Sequence, residues 1–238
     1  MDFAVVLNYC VPTMLYLLIN ISLAAIPSAL IITYFYRKDR QNKEPARLIL
    51  QTFTLGFFAV IPAIVLELGL GSIGAAYHGL LRALIRAFLI AALVEESMKL
   101  LVIRLYVFNK PAFDEISDGI IYTITASLGF AFFENILYSF GTPLVLIIRG
   151  ITAVPLHASA SGILGYYLGI SKIRKEKKIL KGLLIGILIH GLYDFLLFSK
   201  TIASLLVIPL IIVSVWILIV LFSKAQEMDA RAHSIGQK

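Results

Sequence analysis

Glu95 and Glu96 stand side by side in a stretch that otherwise reads as lipid-soluble helix, from Leu80 to Val102, with Lys99 one turn further on. Three later apolar stretches carry their own ionisable groups: Glu134 in one, Arg149 and His157 in the next, His190 and Asp194 in the third. A charge near a bilayer centre costs at least ~2.5–3.5 kcal/mol. Several of them on separate helices are tolerable when they converge on one protein-lined cavity and neutralise one another. Carboxylates, imidazoles, a lysine and an arginine gathered in this way point to acid–base, hydrolytic or ion-moving chemistry inside the membrane.

The spacing within each helix sharpens this reading. Glu95 and Lys99 are four apart with the glutamate on the N-terminal side, the better orientation for a helical ion pair. Glu96 points ~100° away from Glu95, so Lys99 is expected to neutralise Glu95 and leave Glu96 under-compensated, as a general base. The plainer reading is an ion pair that only fixes helix packing. Six residues separate Glu134 from the Gly141-Thr142-Pro143 turn, and it reads equally as a site residue or a solvated cap. Asn135 beside it reads as an interhelical hydrogen-bonding group. Arg149, Ala153, His157, Ser161, Gly165 and Gly169 recur every four residues, a polar and small stripe that faces other helices rather than lipid. Gly182, Gly186, His190 and Asp194 repeat the device. Asp194 is expected to orient His190, as carboxylates do for basic or metal-ligating histidines. The plain alternatives are a histidine bonded to a backbone carbonyl at 157 and a self-satisfied His190–Asp194 pair.

The elements that must position these groups are membrane-spanning helices. Hydrophobic residues make up 60% of the chain and charged ones 15%, and the mean hydropathy is +0.93, outside the balance of a soluble domain. A spanning helix needs ~20 mostly apolar residues. Seven segments qualify, at 12–36, 46–67, 79–104, 117–140, 143–171, 182–199 and 201–223. Pro12 and Pro27 are expected to kink or shorten the first. The loops are too short for a soluble domain, so residues 1–238 read as a single all-α polytopic bundle, with a polar, frayed tail over 224–238.

Charge sets the topology. Sixteen of the 21 Lys and Arg lie in 37–47, 104–110, 172–181 and after residue 223, which seven alternating spans place on one side. The positive-inside rule makes that side cytoplasmic, with the N-terminus outside and the C-terminus inside. The run Lys172-Ile173-Arg174-Lys175-Glu176-Lys177-Lys178 reads as a flank for anionic lipid head groups, not a nucleic-acid patch. Cys10 is the only cysteine, so no intrachain disulfide forms. Met1-Asp2-Phe3 lacks a basic n-region, so the first span is expected to remain as an anchor. The sequon Asn20-Ile21-Ser22 falls within a span and is read as accidental.

No GxSxG elbow, HExxH pair or phosphate-cradling glycine loop occurs. The ordered set that remains resembles the PrsW family of intramembrane proteases. It comprises Glu95-Glu96-Ser97-Met98-Lys99, Phe130-Ala131-Phe132-Phe133-Glu134, His157, and His190-Gly191-Leu192-Tyr193-Asp194. Tyr36-Arg37-Lys38-Asp39-Arg40, Glu44-Pro45 and Asp118-Gly119-Ile120 fit too, so the resemblance covers about 25–200, and the span at 201–223 adds no signature. The family is related to the CAAX-protease and bacteriocin-processing group. Where CAAX enzymes carry histidine in the second element this chain has Glu134, and where they often close with Asn it has Asp194.

The resemblance implies a helical bundle around a water-filled cavity in the cell membrane and a peptidase acting there. The implied substrate is a single-span membrane protein, by family role an anti-sigma factor given its first, site-1 cut in stress signalling. On the residues, Glu96 is the expected base with Glu95 tuned by Lys99. His190 and Asp194 would polarise the carbonyl or protonate the amine, with His157 and Glu134 completing the wall and Asn135 and Arg149 as structural or substrate-binding polar groups. This preferred scheme needs no cofactor. A zinc ion held by His157, His190 and Glu134 is the metal-dependent alternative. From other classes, a proton- or ion-coupled transporter would use the same residue types, though it would usually show inverted repeats. An idle scaffold binding a partner helix is the third reading.

Overall fold

The computed structural model describes residues 11–39, 42–139 and 142–236. Cys10, the Met1-Asp2-Phe3 terminus and Gly141 of the expected turn lie outside the described residues. The elements in chain order are α1 (Val11–Lys38), α2 (Ala46–Ala75), α3 (Gly79–Leu84), π1 (Ile85–Ala92), α4 (Leu93–Val102), π2 (Ile103–Val107), α5 (Ile116–Tyr138), α6 (Pro143–Ile151), α7 (Ala153–Ile173), α8 (Ile179–Phe198), a 3-10 turn (Ile202–Leu206) and α9 (Val207–Gly236). Among the described residues there is no strand, and the architecture is a polytopic helical membrane bundle. Six of the seven expected segments are helices long and apolar enough to cross a membrane. The other is the rod from α3 to π2, continuous in helical backbone but broken into α and π pieces.

α5 is the axle of the bundle. Every residue from Glu115 to Ala131 is buried, including Ser117, Asp118, Thr123, Thr125 and Ser127. Thr125 satisfies its hydroxyl within the helix, donating to the Ile121 carbonyl at 2.8 Å, as a buried polar group without water must. The spanning window of α5 is 72% buried against 17% for α1, so α5 is core and α1 faces lipid. α7 packs against α5 through small residues. A Cβ on Gly165 would lie 2.0 Å from Thr123 Oγ1 and 2.3 Å from the Gly119 carbonyl oxygen. Only glycine permits that approach.

Three expectations about the elements need correction. The span at 143–171 is one membrane-length helical segment, but it is interrupted at Thr152, which divides it into α6 and α7. Pro155 explains the break, since it offers no N–H and its ring crowds the carbonyl of Ile151. The second span runs to Ala75 rather than stopping at residue 67, which places Glu67 inside a helix. The tail is not frayed, because α9 continues to Gly236 and buries Ala225 and Asp229. Pro27 sits inside an unbroken α1. Asn20 is fully buried and donates to the Ser139 carbonyl at 3.1 Å, so the sequon serves packing.

Asp229 caps the start of α5, accepting from the Ile116 N–H at 2.8 Å, the Ser117 N–H at 3.0 Å and the Ser117 hydroxyl at 2.7 Å. Around it lie Glu115, which contacts His233 Nε2 at 2.7 Å, and Asp118, which accepts from the Glu115 N–H at 2.6 Å. Glu44 accepts from the Tyr122 hydroxyl in the same region. This acid-rich cluster ties helix ends together on the lysine-rich side of the bundle.

Candidate active site

The polar residues singled out in the sequence converge. A cavity of about 540 Å³ is lined by Glu95 of α4, Glu134 of α5, Arg149 of α6, His157 of α7 and His190 and Asp194 of α8. Glu67 of α2 lines it too, as do Arg82 of α3 and Arg86 of π1. A smaller recess of about 320 Å³, against Val60 and Ala63 of α2, shares Glu67, Glu95 and Glu134. Arg82 and Glu95 are thirteen residues apart, which a regular α-helix would turn about 140° away from each other. The intervening π1 has wider turns and brings both onto one cavity, in keeping with the frequent use of π segments at functional sites.

Lys99 is the hub. Its ammonium has three donors and no acceptor, and all three are used: to Glu96 Oε1 at 2.8 Å, Glu95 Oε2 at 3.2 Å and His157 Nδ1 at 2.9 Å. It also lies 4.6 Å from the centre of the Phe130 ring. Because Lys99 donates to Nδ1, the His157 proton resides on Nε2, which lies 2.9 Å from Glu134 Oε2. Arg149 backs Glu134 at 3.4 Å and donates to Asn135 Oδ1 at 2.7 Å. Asn135 is thus the interhelical group expected of it. Glu134 lines the cavity and contacts His157 rather than standing as a solvated cap.

Glu96 is fully buried and saturated. Besides Lys99, its carboxylate accepts from Ser161 Oγ at 2.8 Å and from His190 Nδ1 at 2.9 Å. At Gly186 α8 lies close to α7, where a Cβ would sit 3.3 Å from the Ala160 carbonyl oxygen, a tight contact. With Nδ1 engaged, His190 turns Nε2 toward Glu95 Oε2 at 3.8 Å and Asp194 Oδ2 at 3.6 Å, both beyond a hydrogen bond. The His157 and His190 rings meet edge to face with centroids 4.8 Å apart.

One ligand atom each from Glu95, His157 and His190 lies within 4.8 Å of the others, and all three residues are buried. Two imidazoles and a carboxylate match the donor set of a catalytic zinc site. The Nδ1–Glu96 bond on His190 is the outer support that fixes a ligand's free nitrogen. The residue types therefore fit zinc, with His157 able to offer Nδ1 to the ion only where Lys99 gives that nitrogen up, because Nε2 is taken by Glu134.

Comparison with known proteins decides the family. Residues 44–223 match the family described as PrsW family intramembrane metalloprotease. Protease PrsW of Geobacillus kaustophilus is 35% identical over 184 residues, covering 76% of this chain and 80% of that one. This chain belongs to the PrsW family of intramembrane proteases. Protease PrsW of Bacillus subtilis is 34% identical over 184 residues (74% and 82% of the two chains), and that of Oceanobacillus iheyensis 33% over 196 (81% and 88%). No solved structure matches the chain. As a PrsW protein with six long apolar spans it is a multi-pass integral protein of the cell membrane.

Within this PrsW bundle the site differs from its sequence reading in three ways. Lys99 serves both glutamates, because at one turn's distance it lies angularly between residues 95 and 96 rather than behind residue 95 alone. Glu96 is consequently not the under-compensated carboxylate, and it does not line the cavity, whereas Glu95 does. The carboxylate that holds His190 is Glu96 on another helix, not Asp194 one turn away. The acid grouped with the two histidines is Glu95, while Glu134 bonds to the His157 ring. Glu67 and Ser127 were not anticipated. In sequence Glu67 falls at the end of the expected second span, though its charge beside an apolar run is an available signal. Ser127 anchors the site by donating to the His157 carbonyl at 2.9 Å, a contact no spacing reveals.

Proposed function

We propose that this PrsW-family protein hydrolyses a peptide bond of a single-span membrane protein at the extracytoplasmic end of its transmembrane segment, with zinc held by Glu95, His157 and His190. The observation that carries the proposal is the convergence of those three residues, from three elements, on one cavity wall. When bound there, zinc would supply a Lewis acid that polarises the carbonyl and activates water. The chain's own groups do the rest. Glu96 holds the Nδ1 proton of His190 and so keeps Nε2 toward the cavity. Lys99, itself buried, offsets the charge of the glutamate pair. Glu134, braced by Arg149, fixes the His157 ring. Asp194 accepts no hydrogen bond from the described residues and lines the cavity. It is the wall carboxylate placed to take a proton from water and return it to the departing amine.

The orientation is part of the proposal. The lysine-rich loops mark the cytoplasmic side, beside anionic lipid, which puts the N-terminus outside and the C-terminus inside. The cavity includes Arg82, Leu197 and Phe198 at the opposite end, which supports access from the outer face. The substrate class carried by the resemblance, a membrane-anchored anti-sigma factor receiving its first cut, completes this reading.

The test is cleavage of tagged single-span proteins by the purified enzyme in proteoliposomes, with metal analysis of the same preparation. Near-stoichiometric zinc, activity lost on chelation and restored by zinc, and reduced metal content in Glu95→Gln and His190→Ala are expected. Full cleavage by a chelated enzyme proved free of metal would refute the zinc reading. Product masses showing a cut in the cytoplasmic half would refute the orientation.

A further inference from the structure

Five lysines and arginines lie outside the lysine-rich flank: Arg82, Arg86, Lys99, Arg149 and Lys200. Lys99 is consumed by the glutamate pair and Arg149 by Glu134 and Asn135. The other three gather at one place. Arg82, Arg86 and Lys200, with Gly79 and Phe198, line a recess of about 350 Å³, and Arg82, Arg86 and Phe198 also line the catalytic cavity. The recess is therefore the mouth of that cavity, at the end of the bundle away from the lysine-rich loops. All three side chains are exposed, and none has an ion-pair partner among the described residues. Arg86 rests on the Phe198 ring, 5.4 Å from its centre, which holds the guanidinium in place without neutralising it.

We propose that this mouth binds acidic side chains of the substrate lying just outside its apolar segment, and so selects substrates with an acidic flank. The inference rests on the protease reading and adds the substrate's chemistry to it. Arg82 and Arg86 are four apart and share a helix face, presenting two planar forks suited to carboxylates. Behind them the cavity carries Glu67, Glu95, Glu134 and Asp194. An acidic residue is thus attracted at the mouth and repelled from the interior. That gradient holds the flank at the surface and leaves the adjoining uncharged backbone to reach Glu95.

Three synthetic single-span peptides carrying two Asp, two Asn or two Lys immediately outside the apolar segment would test this. Binding to the Glu95→Gln protein would be measured in phosphatidylcholine nanodiscs, and cleavage by the wild type in vesicles of the same lipid. The Asp peptide should bind about tenfold more tightly than the Lys peptide, with the difference shrinking as salt is raised. In the Glu95→Gln background, Arg82→Glu with Arg86→Glu should reverse the order, and Arg82→Gln with Arg86→Gln should flatten it. Equal binding of all three peptides, or an order unchanged by the substitutions, would overturn the proposal. So would a preference for phosphatidylglycerol over phosphatidylcholine that the substitutions abolish while peptide order stays fixed, since the mouth would then be a lipid site. Charge-ordered binding with no cleavage of any peptide would leave this inference standing and count against the protease reading instead.

Discussion

The cluster around Lys99 and the cluster around Asp229 both bury carboxylates, and they handle the charge differently. Around Lys99, two glutamates meet one ammonium and two imidazoles, and the assembly opens onto a cavity of about 540 Å³. Around Asp229, the acids meet backbone N–H groups at the start of α5, a tyrosine hydroxyl and one histidine. Backbone N–H groups are fixed by the helix, so the second cluster holds helix ends in register. Histidine nitrogens and cavity-facing oxygens can exchange partners, so the first cluster can do chemistry. Burial alone does not mark a site. Donors able to let go, beside open volume, do.

The largest effects should separate the two clusters by activity. Glu95→Gln, His157→Ala and His190→Ala should each lower cleavage by ~10²-fold or more, because each removes a residue placed to hold zinc and even the loss of a group that only supports a ligand costs about 10–100-fold, while the purified protein keeps its elution profile. Asp229→Asn should leave cleavage within about twofold, because the Asp229 cluster does not line the cavity. Abolished cleavage in a folded Asp229→Asn protein would erase the distinction.

Stability should separate them in the opposite sense. Asp229→Ala removes the acceptor for two N–H groups at the α5 start and should cost ~1–2 kcal/mol, read as an earlier denaturant midpoint. Ser161→Ala removes one of the donors to Glu96 and should cost ~1 kcal/mol with a few-fold loss of cleavage. If Ser161→Ala changes neither, Glu96 is not held as described.

The last effect is a pH dependence at Asp39, whose carboxyl feels the charges of the second cluster. Burial, followed by the nearby Glu115, Glu44 and Asp229 charges, pushes the Asp39 carboxyl up to about 7 from its ordinary 3.8. Burial likewise raises Glu44 and Glu115. A group whose folded pKa is raised contributes its stability in full below the unfolded pKa and loses it as pH rises through the folded value. Asp39 therefore favours folding at pH 4 and withdraws that support by about pH 7. Asp39→Asn should flatten that part of the stability–pH curve and raise the midpoint at pH 8 relative to wild type. An unchanged slope between pH 5 and 8 would show that Asp39 titrates normally.

Much of the site was legible because intramembrane charge is costly. Each of Glu95, Glu134, His157, His190 and Asp194 stood out inside an apolar run, and the structure brings them to one cavity. The glycine spacing in α7 announced a close helix contact, and Gly165 makes one with α5. Glu67 escaped because it was read as the end of a helix that in fact continues to Ala75. The roles within the cluster were harder. Angular position along one helix says which residues share a face, but Glu96 is saturated by Ser161 of α7 and His190 of α8.

Residue type and periodicity by themselves determined the membrane class, the approximate spans and the set of polar residues that must meet, because hydrophobic transfer and intramembrane charge act on each segment separately. Tertiary structure alone decided which carboxylate faces the cavity, which one holds His190, and that Arg82 and Arg86 reach the mouth. Those choices depend on the π turns before Glu95, the break at Thr152 and the close approach of α8 at Gly186. Each sets distances between groups on different helices, and a hydrogen bond is made or lost within less than an ångström.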